Sequence, residues 1–354
     1  MRAYSIAKSA LAAAVIGGLA LGLSAGVAEA QDKRVRVQIG STYPASMAQL
    51  GTLGVALADK LKKVSGGSID ARFNEPGALV PALQVFDAIS AGSLDGGWST
   101  PGYWTGKDVT FAVFASVPFG PGAGEYLAWL DYGGGEKMMQ ELYAEYKIVS
   151  HICGIIAPEA SGWFRKEINS VDDLKGLKMR FFGLGAKVME KMGVATQLIA
   201  GGEIYQALQL GSIDATEFSM PAIDLSLGFH QVAKYYYFPG WHQQSTTFDF
   251  MLSQAKWNEM SDTQKAQVRA VCGDNIRQGF AEGEAIQFKA LQELQSKGVN
   301  IKQWSPQILA TLSKAWDEVV VEESAKNPKF KRAWDSLTQF RANYKVWKDI
   351  GYLK

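Results

Sequence analysis

The chain has 354 residues, of which 47% are hydrophobic, 36 are lysine or arginine and 35 are aspartate or glutamate. This near balance, a formal net charge of +1, gives no reason to expect nucleic acid or an anionic membrane surface as a partner. The three histidines are dispersed and the sequence contains no CxxC pattern, so the usual spacing of a zinc site is missing.

Residues 1–30 have the pattern of a secretory signal. Arg2 and Lys8 give a positive start, residues 10–23 are apolar, and Ala28-Glu-Ala30 is a small-x-small cleavage site. The apolar stretch is shorter than the roughly 20 residues that a membrane-spanning helix needs. We therefore predict export and cleavage after Ala30, with an uncleaved membrane anchor as the alternative.

The next part of the chain alternates predicted strands and helices. Residues 34–39 alternate polar and apolar side chains, which indicates a strand, and apolar residues from Met47 to Leu61 fall at helical spacing. A second strand is predicted over 69–73, a helix over 82–91 and a short strand over 94–98. This βαβ order predicts a largely parallel α/β sheet.

Two short segments are near copies of each other, namely Gly92-Ser-Leu-Asp-Gly96 and Gly211-Ser-Ile-Asp-Ala215. Each follows a helix that contains Ala-Leu-Gln, begins with a glycine that ends this helix, and leads into a predicted strand. Chance similarity is the alternative for segments this short. If the repeat is real, it indicates two similar α/β lobes with a ligand cleft between them.

From Asp262 onward the pattern predicts mostly helix, interrupted at Gly283 and Gly298 and followed by a short strand over 299–303. Pro306 then opens the last long helical region. Cys153 and Cys272 are the only two cysteines, and both have apolar neighbours in the sequence. Export permits a disulfide between them, and two buried thiols are the alternative.

Arg180 ends a predicted strand, just before a helix that Gly183 and Gly185 open. In open α/β sheets, ligands bind where a strand ends at the N-terminus of the next helix. The planar guanidinium suits bidentate capture of a carboxylate. A solvated surface ion pair is the alternative role for this side chain.

Three oxygen-bearing side chains also stand at predicted strand ends or in adjoining loops, namely Glu159, Glu217 and Gln243. Carboxylate and amide oxygens are hard ligands that suit Na⁺ or Ca²⁺. Each of the three could instead be a solvated surface residue. The two carboxylates could also be the acid and base of a glycosidase, which would require a defined distance between them.

Several aromatic side chains could form the walls of a small-ligand pocket, or could be ordinary core residues: Tyr103, Trp104, Trp163, Phe218 and Trp241. Among them we favour Tyr103 and Trp241 as pocket walls. The run Tyr235 to Phe238 is typical of a β-strand and fits packing better than binding.

With these residues in order, the chain resembles the solute receptors of TRAP transporters, the DctP-type periplasmic binding proteins. The resemblance covers essentially the whole mature chain. It is most specific in four segments, which are Gly162–Ile168, Leu174–Arg180, Ala200–Tyr205 and Tyr235–Trp241. Within the family, the chain is most similar to the branch that binds 2-oxo acids and lactate together with a metal ion.

This resemblance implies an α/β fold of the two-lobed periplasmic binding protein kind, with crossing strands and a long helix linking the lobes. Lobe I would contain about residues 31–155 and part of 245–305. Lobe II would contain about residues 156–244 and part of the C-terminal helical region. Some relatives dimerise through their C-terminal helices, and this chain permits a homodimer of that kind.

The resemblance also implies roles for individual residues. Arg180 would bind the carboxylate of the ligand. The side chains of Glu159, Glu217 and Gln243, with the backbone carbonyl of Phe218, would hold Na⁺ or Ca²⁺ beside it, and Glu159 would also line the ligand site. A 2-oxo or 2-hydroxy acid would complete the shell through a five-membered chelate.

The chain departs from the family pattern at three positions. The family often has Gln where this chain has Glu159 and Glu where it has Gln243, so the two changes offset in charge. Phe218 replaces a frequent Trp, which does not affect a backbone ligand. Gly102 stands where a bulky aromatic residue is common, and this predicts an enlarged pocket.

The predicted protein is therefore a non-enzymatic receptor in the periplasm. It would bind a small monocarboxylate, such as pyruvate, a longer 2-oxo acid or lactate, and deliver it to the membrane subunits of a TRAP transporter. We expect charge reversal at Arg180 to abolish binding with little loss of fold. The alternatives are an ion-independent receptor for a dicarboxylate or larger acid and, more remotely, an exported hydrolase using Glu159 and Glu217.

Overall fold

The computed structural model of the protein describes residues 32–353, so the predicted signal segment and its cleavage site lie outside the described residues. The strands are β1 (Val35–Ser41), β2 (Ile69–Asn74), β3 (Gly96–Ser99), β4 (Ile148–Ile156), β5 (Gly162–Phe164), β6 (Lys178–Arg180), β7 (Ala195–Gln197), β8 (Ala215–Thr216), β9 (Tyr235–Phe238), β10 (Thr246–Ser253) and β11 (Asn300–Gln303).

The α-helices are α1 (Thr52–Val64), α2 (Val85–Ser90), α3 (Ala123–Tyr132), α4 (Gly135–Ala144), α5 (Gly183–Lys191), α6 (Ile204–Gln209), α7 (Pro221–Ser226), α8 (Gln254–Glu259), α9 (Asp262–Ser296), α10 (Pro306–Lys326) and α11 (Pro328–Gly351). Short 3₁₀ helices cover Ala82–Gln84, Pro101–Trp104, Val109–Phe114, Val171–Leu174, Gly201–Glu203 and Phe229–Gln231. Within residues 32–353, every helix is too short or too polar to be a candidate membrane span.

The strands form two separate sheets, as a two-lobed fold requires. The first has the order β2-β1-β3-β10-β4 and the second has the order β11-β9-β5-β8-β6-β7. Neighbouring strands are parallel except around β10 and β5, each of which is antiparallel to both of its neighbours. The prediction of a largely parallel sheet is wrong at these two strands, because a strand that returns from a distant part of the chain leaves no local pattern.

The repeated segment occupies equivalent places in the two sheets. Asp95 precedes β3, and its Oδ2 accepts a hydrogen bond of 2.9 Å from the backbone N of Gln38 in the neighbouring β1. Asp214 precedes β8, and its Oδ2 accepts a bond of the same 2.9 Å length from the backbone N of Lys178 in the neighbouring β6. One short motif thus ties two parallel strands together in each lobe, which is the role that a true internal repeat predicts.

The long helix α9 packs on both halves of the molecule. It contacts α1 and β4 on one side and α7, which follows β8, on the other. Gly283 does not interrupt this helix, so that prediction is wrong. A Cβ at Gly279 would lie 2.7 Å from Cδ1 of Leu53, and one at Gly283 would lie 3.1 Å from Oε1 of Gln49. These glycines permit close packing, and this packing outweighs the roughly 1 kcal/mol that glycine costs inside a helix.

Cys153 in β4 and Cys272 in α9 form a disulfide across 119 residues of sequence. Of the two alternatives for these cysteines, the pair of free thiols is therefore wrong. The bond fixes α9, the longest helix described, to β4 of the first sheet, and the next strand along the chain is β5 of the second sheet. The disulfide lies in the core, since both residues are at most 3% exposed.

A buried carboxyl group lies in β10, where this strand pairs with β4. Oδ2 of Asp249 accepts hydrogen bonds from the Tyr143 hydroxyl at 2.6 Å and from Oγ of Ser150 at 2.7 Å. Both bonds favour the ionised form, but burial opposes ionisation more strongly and raises the pKa of Asp249 to about 6. The folded protein therefore holds this proton more tightly than the unfolded chain does.

This tight proton binding predicts a pH-dependent stability. The free energy of unfolding should fall by about 2–3 kcal/mol through Asp249 as pH rises from about 4 to about 6, and then stay level. An asparagine side chain cannot ionise, so Asp249→Asn should gain this amount relative to the unchanged protein between pH 4 and pH 7. Urea unfolding of both proteins at several pH values measures the difference. A difference that stays constant with pH would contradict the prediction.

Candidate functional site

Arg180 is the last residue of β6, which lies inside the second sheet between β7 and β8. Its side chain is only 1% exposed, so the alternative of a solvated surface ion pair is wrong. Nε donates to the carbonyl of Ile199 at 3.2 Å, and Nη1 donates to both the carbonyl and Oε2 of Glu217 at 2.7 Å. Among residues 32–353, Nη2 makes no hydrogen bond.

Glu217 follows β8, so parallel pairing with β6 brings it beside Arg180. The side chain is fully buried, and its Oε2 accepts a second hydrogen bond, of 3.1 Å, from the backbone N of Phe182. Its other oxygen, Oε1, has no hydrogen-bond partner within the described part of the chain. One carboxylate oxygen is thus held by the protein while the other is free to receive a cation.

Glu159 and Gln243 come from two loops that are tied together. The backbone N of Glu159 donates to the carbonyl of Gln243 at 3.1 Å. The side-chain amide of Gln243 donates to Oε1 of Glu159 at 3.3 Å and to Oγ1 of Thr246 at 2.6 Å. Oε2 of Glu159 and Oε1 of Gln243 have no hydrogen-bond partner among the described residues, although both side chains are buried.

His242 also lies here, and the sequence-based predictions did not include it. Its Nε2 is 3.4 Å from Oε1 of Glu217 and 4.0 Å from Oε2 of Glu159. One ligand atom from each of these three residues falls within 4.8 Å of the others. The sequence offered one clue to His242, which is that it directly precedes the predicted ligand Gln243. This position alone does not show whether the imidazole points toward the site or away from it.

The electrostatics of this cluster favour a positive partner. Burial raises the pKa of Glu159 well above its usual range, and the nearby charges of Glu217 and Asp224 add to the effect. Burial also raises the pKa of Asp224 to about 7, although Trp163 and Tyr236 donate hydrogen bonds to it. Buried acceptor atoms without donors, beside carboxyl groups that resist ionising together, are a donor set that a cation satisfies.

Glu159, Arg180 and Gln243 line a small cavity of about 20 Å³, and Glu217 and His242 lie behind these lining residues. Larger cavities, of 410 and 520 Å³, are lined by other residues, the first at 164–177 with 214–215 and the second at 334–349 with Glu125. We place the site at the smaller cavity because the buried charges and unpaired acceptors converge there. Five aromatic side chains border this cavity, namely Tyr43, Tyr103, Phe182, Phe218 and Phe248.

The aromatic candidates divide into two groups. Tyr103 and Phe218 line the cavity, and the guanidinium of Arg180 lies 5.1 Å from the centre of the Phe218 ring. Trp241 is not among the lining residues and instead packs between Phe119 and Phe181, with ring centres 5.8 and 5.9 Å away. Other candidates are core residues, Trp104 against Phe86 and Trp163 on Tyr236.

Three lining aromatics were not predicted, namely Tyr43, Phe182 and Phe248. Tyr43 follows β1 at the end where ligands bind, so the strand-end rule that located Arg180 could have found it. The ring of Phe182 fills the space beside Gly102, where an added Cβ would lie only 2.1 Å from its Cζ. The prediction that Gly102 enlarges the pocket is therefore wrong.

Comparison with known proteins agrees with this geometry. The family model described as DctP, bacterial extracellular solute-binding protein, family 7, matches residues 39–327. The chain belongs to the DctP family. DctP proteins bind solutes outside the cytoplasm, so the predicted family and the two-lobed α/β fold are confirmed.

Three relatives of this DctP protein are informative. A monocarboxylate 2-oxoacid-binding periplasmic protein of Nostoc sp. is 34% identical over 90% of this chain and 87% of its own length. A TRAP transporter solute-binding protein from Bordetella bronchiseptica, a dimer with calcium and picolinate in one active site, superposes with a TM-score of 0.88 at 33% identity, covering 90% of this chain and 95% of that one.

The third is a TRAP periplasmic solute-binding protein from Pseudoalteromonas atlantica, which has bound sodium and pyruvate. It superposes with a TM-score of 0.86 at 31% identity and covers 90% of this chain and 97% of its own. All three relatives match the DctP chain over nearly its full described length, so the receptor function of the family extends to this protein.

Proposed function

We propose that this TRAP receptor binds a small 2-oxo or 2-hydroxy monocarboxylate together with Na⁺ or Ca²⁺ and delivers it to membrane permease subunits. One observation carries the proposal. Within residues 32–353, Nη2 of the buried Arg180 makes no hydrogen bond, and in the same cluster three buried oxygens, one each on Glu159, Glu217 and Gln243, have no donor. Such a set binds an anion and a cation side by side.

In this proposal, Arg180 binds the ligand carboxylate. Nε and Nη1 are held by protein acceptors, so the plane of the guanidinium is fixed before the ligand arrives. A preorganised donor avoids part of the entropy cost of binding. Tyr103 forms one wall beside the ligand, and Glu159 lines the same cavity. Trp241 would support the site indirectly, by packing on Phe181.

The cation would be held by Oε2 of Glu159, Oε1 of Glu217, Oε1 of Gln243 and the backbone carbonyl of Phe218. When bound, it supplies positive charge that balances the two carboxylates and attracts the 2-oxo oxygen of the acid. The imidazole of His242, with Nε2 3.4 Å from Oε1 of Glu217, would lie next to the bound ion.

The ligands of the relatives support this class of acid. Pyruvate and picolinate each carry a carboxylate with a second acceptor atom on the adjacent carbon, and each is bound in a relative that also holds a metal ion. Both molecules can therefore form a five-membered chelate. An ion-independent dicarboxylate receptor would leave the unpaired oxygens of Glu159 and Glu217 without a partner, which is costly at a buried site. The hydrolase alternative gains no support, because the family consists of receptors, and we propose that the ligand leaves unchanged.

We further propose the lobe boundaries given by the sequence. The first sheet uses β1–β4 and β10, which agrees with a lobe I of about residues 31–155 and part of 245–305. The second sheet uses β5–β9 and β11, so the chain would return to lobe II before β11 begins at residue 300. We also propose that the protein is exported to the periplasm and that residues 1–30 are cleaved off. A homodimer would form through the C-terminal helices.

The test is to remove the cation. After dialysis against a chelator into sodium-free buffer, we expect pyruvate binding, measured by calorimetry, to weaken by about a hundredfold or more, and Ca²⁺ or Na⁺ to restore it. A hundredfold excess of pyruvate over its dissociation constant should raise the free energy of unfolding by about 2.7 kcal/mol only when the cation is present.

Acetate is the matched ligand control, because it has the carboxylate but lacks the 2-oxo oxygen. It should bind weakly with or without the cation. Pyruvate binding that survives both the chelator and the removal of sodium would contradict the ion site and favour the ion-independent receptor. Recovery of chemically unchanged pyruvate after incubation, measured by NMR, checks the absence of turnover.

A further inference from the structure

One aromatic ring reaches from the second lobe into a gap in the first. Gly102 belongs to the 3₁₀ helix Pro101–Trp104, which follows β3 of the first sheet, whereas Phe182 follows β6 of the second. A Cβ added to Gly102 would lie 2.1 Å from Cζ of Phe182 and within 2.9 Å of both Cε atoms. The edge of the ring therefore occupies the place where any other residue at position 102 would have its side chain.

The backbone does not require a glycine at position 102. Gly102 does not adopt one of the positive φ angles that disfavour other residues. The segment around it, Pro101–Trp104, is buried and helical. The missing side chain at this position thus has one evident use in the structure, which is to make room for Phe182.

The Phe182 ring is held at the edge of the ligand cavity. Its backbone N donates to Oε2 of Glu217 at 3.1 Å, the same oxygen that Arg180 contacts. The ring meets Tyr103 edge to face, at 5.4 Å between centres and an interplanar angle of 82°. Phe182 is only 5% exposed and is held both at its backbone and at its ring, so the ring cannot move without breaking these contacts.

We propose that Phe182 limits the length of the acid that the receptor accepts, and that Gly102 is the notch that allows the ring to do so. This inference rests on the proposed function. An acid anchored by Arg180 lies next to the ring, because both residues line one cavity of about 20 Å³. The preferred ligands are therefore acids of three or four carbons, and longer side chains need the space that the ring holds.

The experiment compares 2-oxo acids of three, four and six carbons by calorimetry, with saturating Ca²⁺. The unchanged protein should prefer pyruvate over the six-carbon acid by about tenfold or more. Phe182→Ala should reverse this order, with affinity for the six-carbon acid rising about tenfold and affinity for pyruvate falling. Phe182→Leu, which keeps the core filled, should lie between the two and serves if the alanine variant does not fold.

The notch is tested separately. Gly102→Ala places a methyl group against the ring and should weaken binding of all three acids by about tenfold or more, because overpacking pushes the ring out of the notch and toward the ligand. The double variant Gly102→Ala/Phe182→Ala removes that clash and should bind like Phe182→Ala alone. Gly106→Ala is the matched control, since a Cβ there meets nothing within 4 Å, and should bind like the unchanged protein.

Some results would overturn the inference and leave the proposed function intact. They are an unaltered chain-length preference in both Phe182 variants, normal pyruvate affinity in Gly102→Ala, and a double variant as weak as Gly102→Ala. Failure of the unchanged protein and of Gly106→Ala to bind any 2-oxo acid with either cation would overturn the proposed function and the inference together. Melting curves of the ligand-free variants separate loss of binding from loss of fold.

Discussion

Replacing Arg180 with glutamine should weaken the binding of a 2-oxo acid by about a hundred- to a thousandfold. The guanidinium is 1% exposed, and its hydrogen bonds to the Ile199 and Glu217 carbonyls fix its orientation. Removing one partner from a buried, hydrogen-bonded charge pair costs about 2–5 kcal/mol of binding free energy, a range whose middle corresponds to this factor. Glutamine preserves some length, but it has no charge and too few donors to bond Ile199 and Glu217 and still leave one for the ligand.

The same change should also destabilise the protein. Glu217 would lose its partner at 2.7 Å and remain buried and charged, a loss of about 3–5 kcal/mol of folding free energy. Charge reversal to glutamate would be worse, because it places a third carboxylate beside Glu159 and Glu217. We therefore expect Arg180→Glu to disturb the fold, contrary to the expectation from the sequence alone, and the uncharged variant is the better test.

Calorimetry at a temperature well below the melting point of each variant separates the two effects. Arg180→Lys keeps the charge but not the planar fork and should bind with intermediate affinity. Arg165→Gln is the matched control, because this arginine follows β5 in the same sheet but is exposed and lies away from the cavity. Near-normal pyruvate affinity in a folded Arg180→Gln protein would refute the carboxylate anchor.

Glu217→Gln should have the second large effect, on the cation. Glu217 contacts Arg180 with one oxygen, and its other oxygen, beside Glu159 and His242, has no hydrogen-bond partner among residues 32–353. The amide keeps the shape but has one acceptor oxygen instead of two, and no charge. We expect Ca²⁺ affinity to fall about a hundredfold or more, and pyruvate affinity to fall with it, because the two ligands share the site.

Titration of Ca²⁺ with and without pyruvate measures both losses and their coupling. The Glu217→Gln variant should also show a lower pKa for Glu159, since the charge of Glu217 is one reason why that pKa is raised. Glu167→Gln is the control, because Glu167 is a half-exposed carboxylate that pairs with Lys302 on the surface. If Ca²⁺ and pyruvate bind Glu217→Gln as they bind the unchanged protein, Glu217 does not hold the ion.

The sequence predicted the parts of the site that follow from local order. Arg180 and Glu217 could be located because both end a strand, and strand ends of parallel pairs meet at one edge. The contact between these two residues could not, because it depends on which strands pair across 37 residues. Phe182 was missed for a related reason, since its ring contacts Gly102, which follows a strand of the other sheet.

Glycine was the least reliable signal along the chain. Gly92 and Gly211 end helices with φ angles of 75° and 73°, as the pattern predicted. Gly283 and Gly102 have a different role, because their missing side chains permit close contacts with Gln49 and Phe182. A local pattern cannot distinguish a glycine that the backbone needs from one that a distant side chain needs.

The single disulfide also bears on how the protein matures. With only two cysteines in the chain, Cys153 and Cys272 have no wrong partner within the molecule. One oxidation step completes the bond, and no isomerase has mispaired cysteines to correct. The cytoplasm keeps thiols reduced, so on the export proposed above the roughly 2–4 kcal/mol that such a bond contributes would be withheld until the chain has left it. The chain would thus stay in its less stable form for as long as translocation requires it to be unfolded.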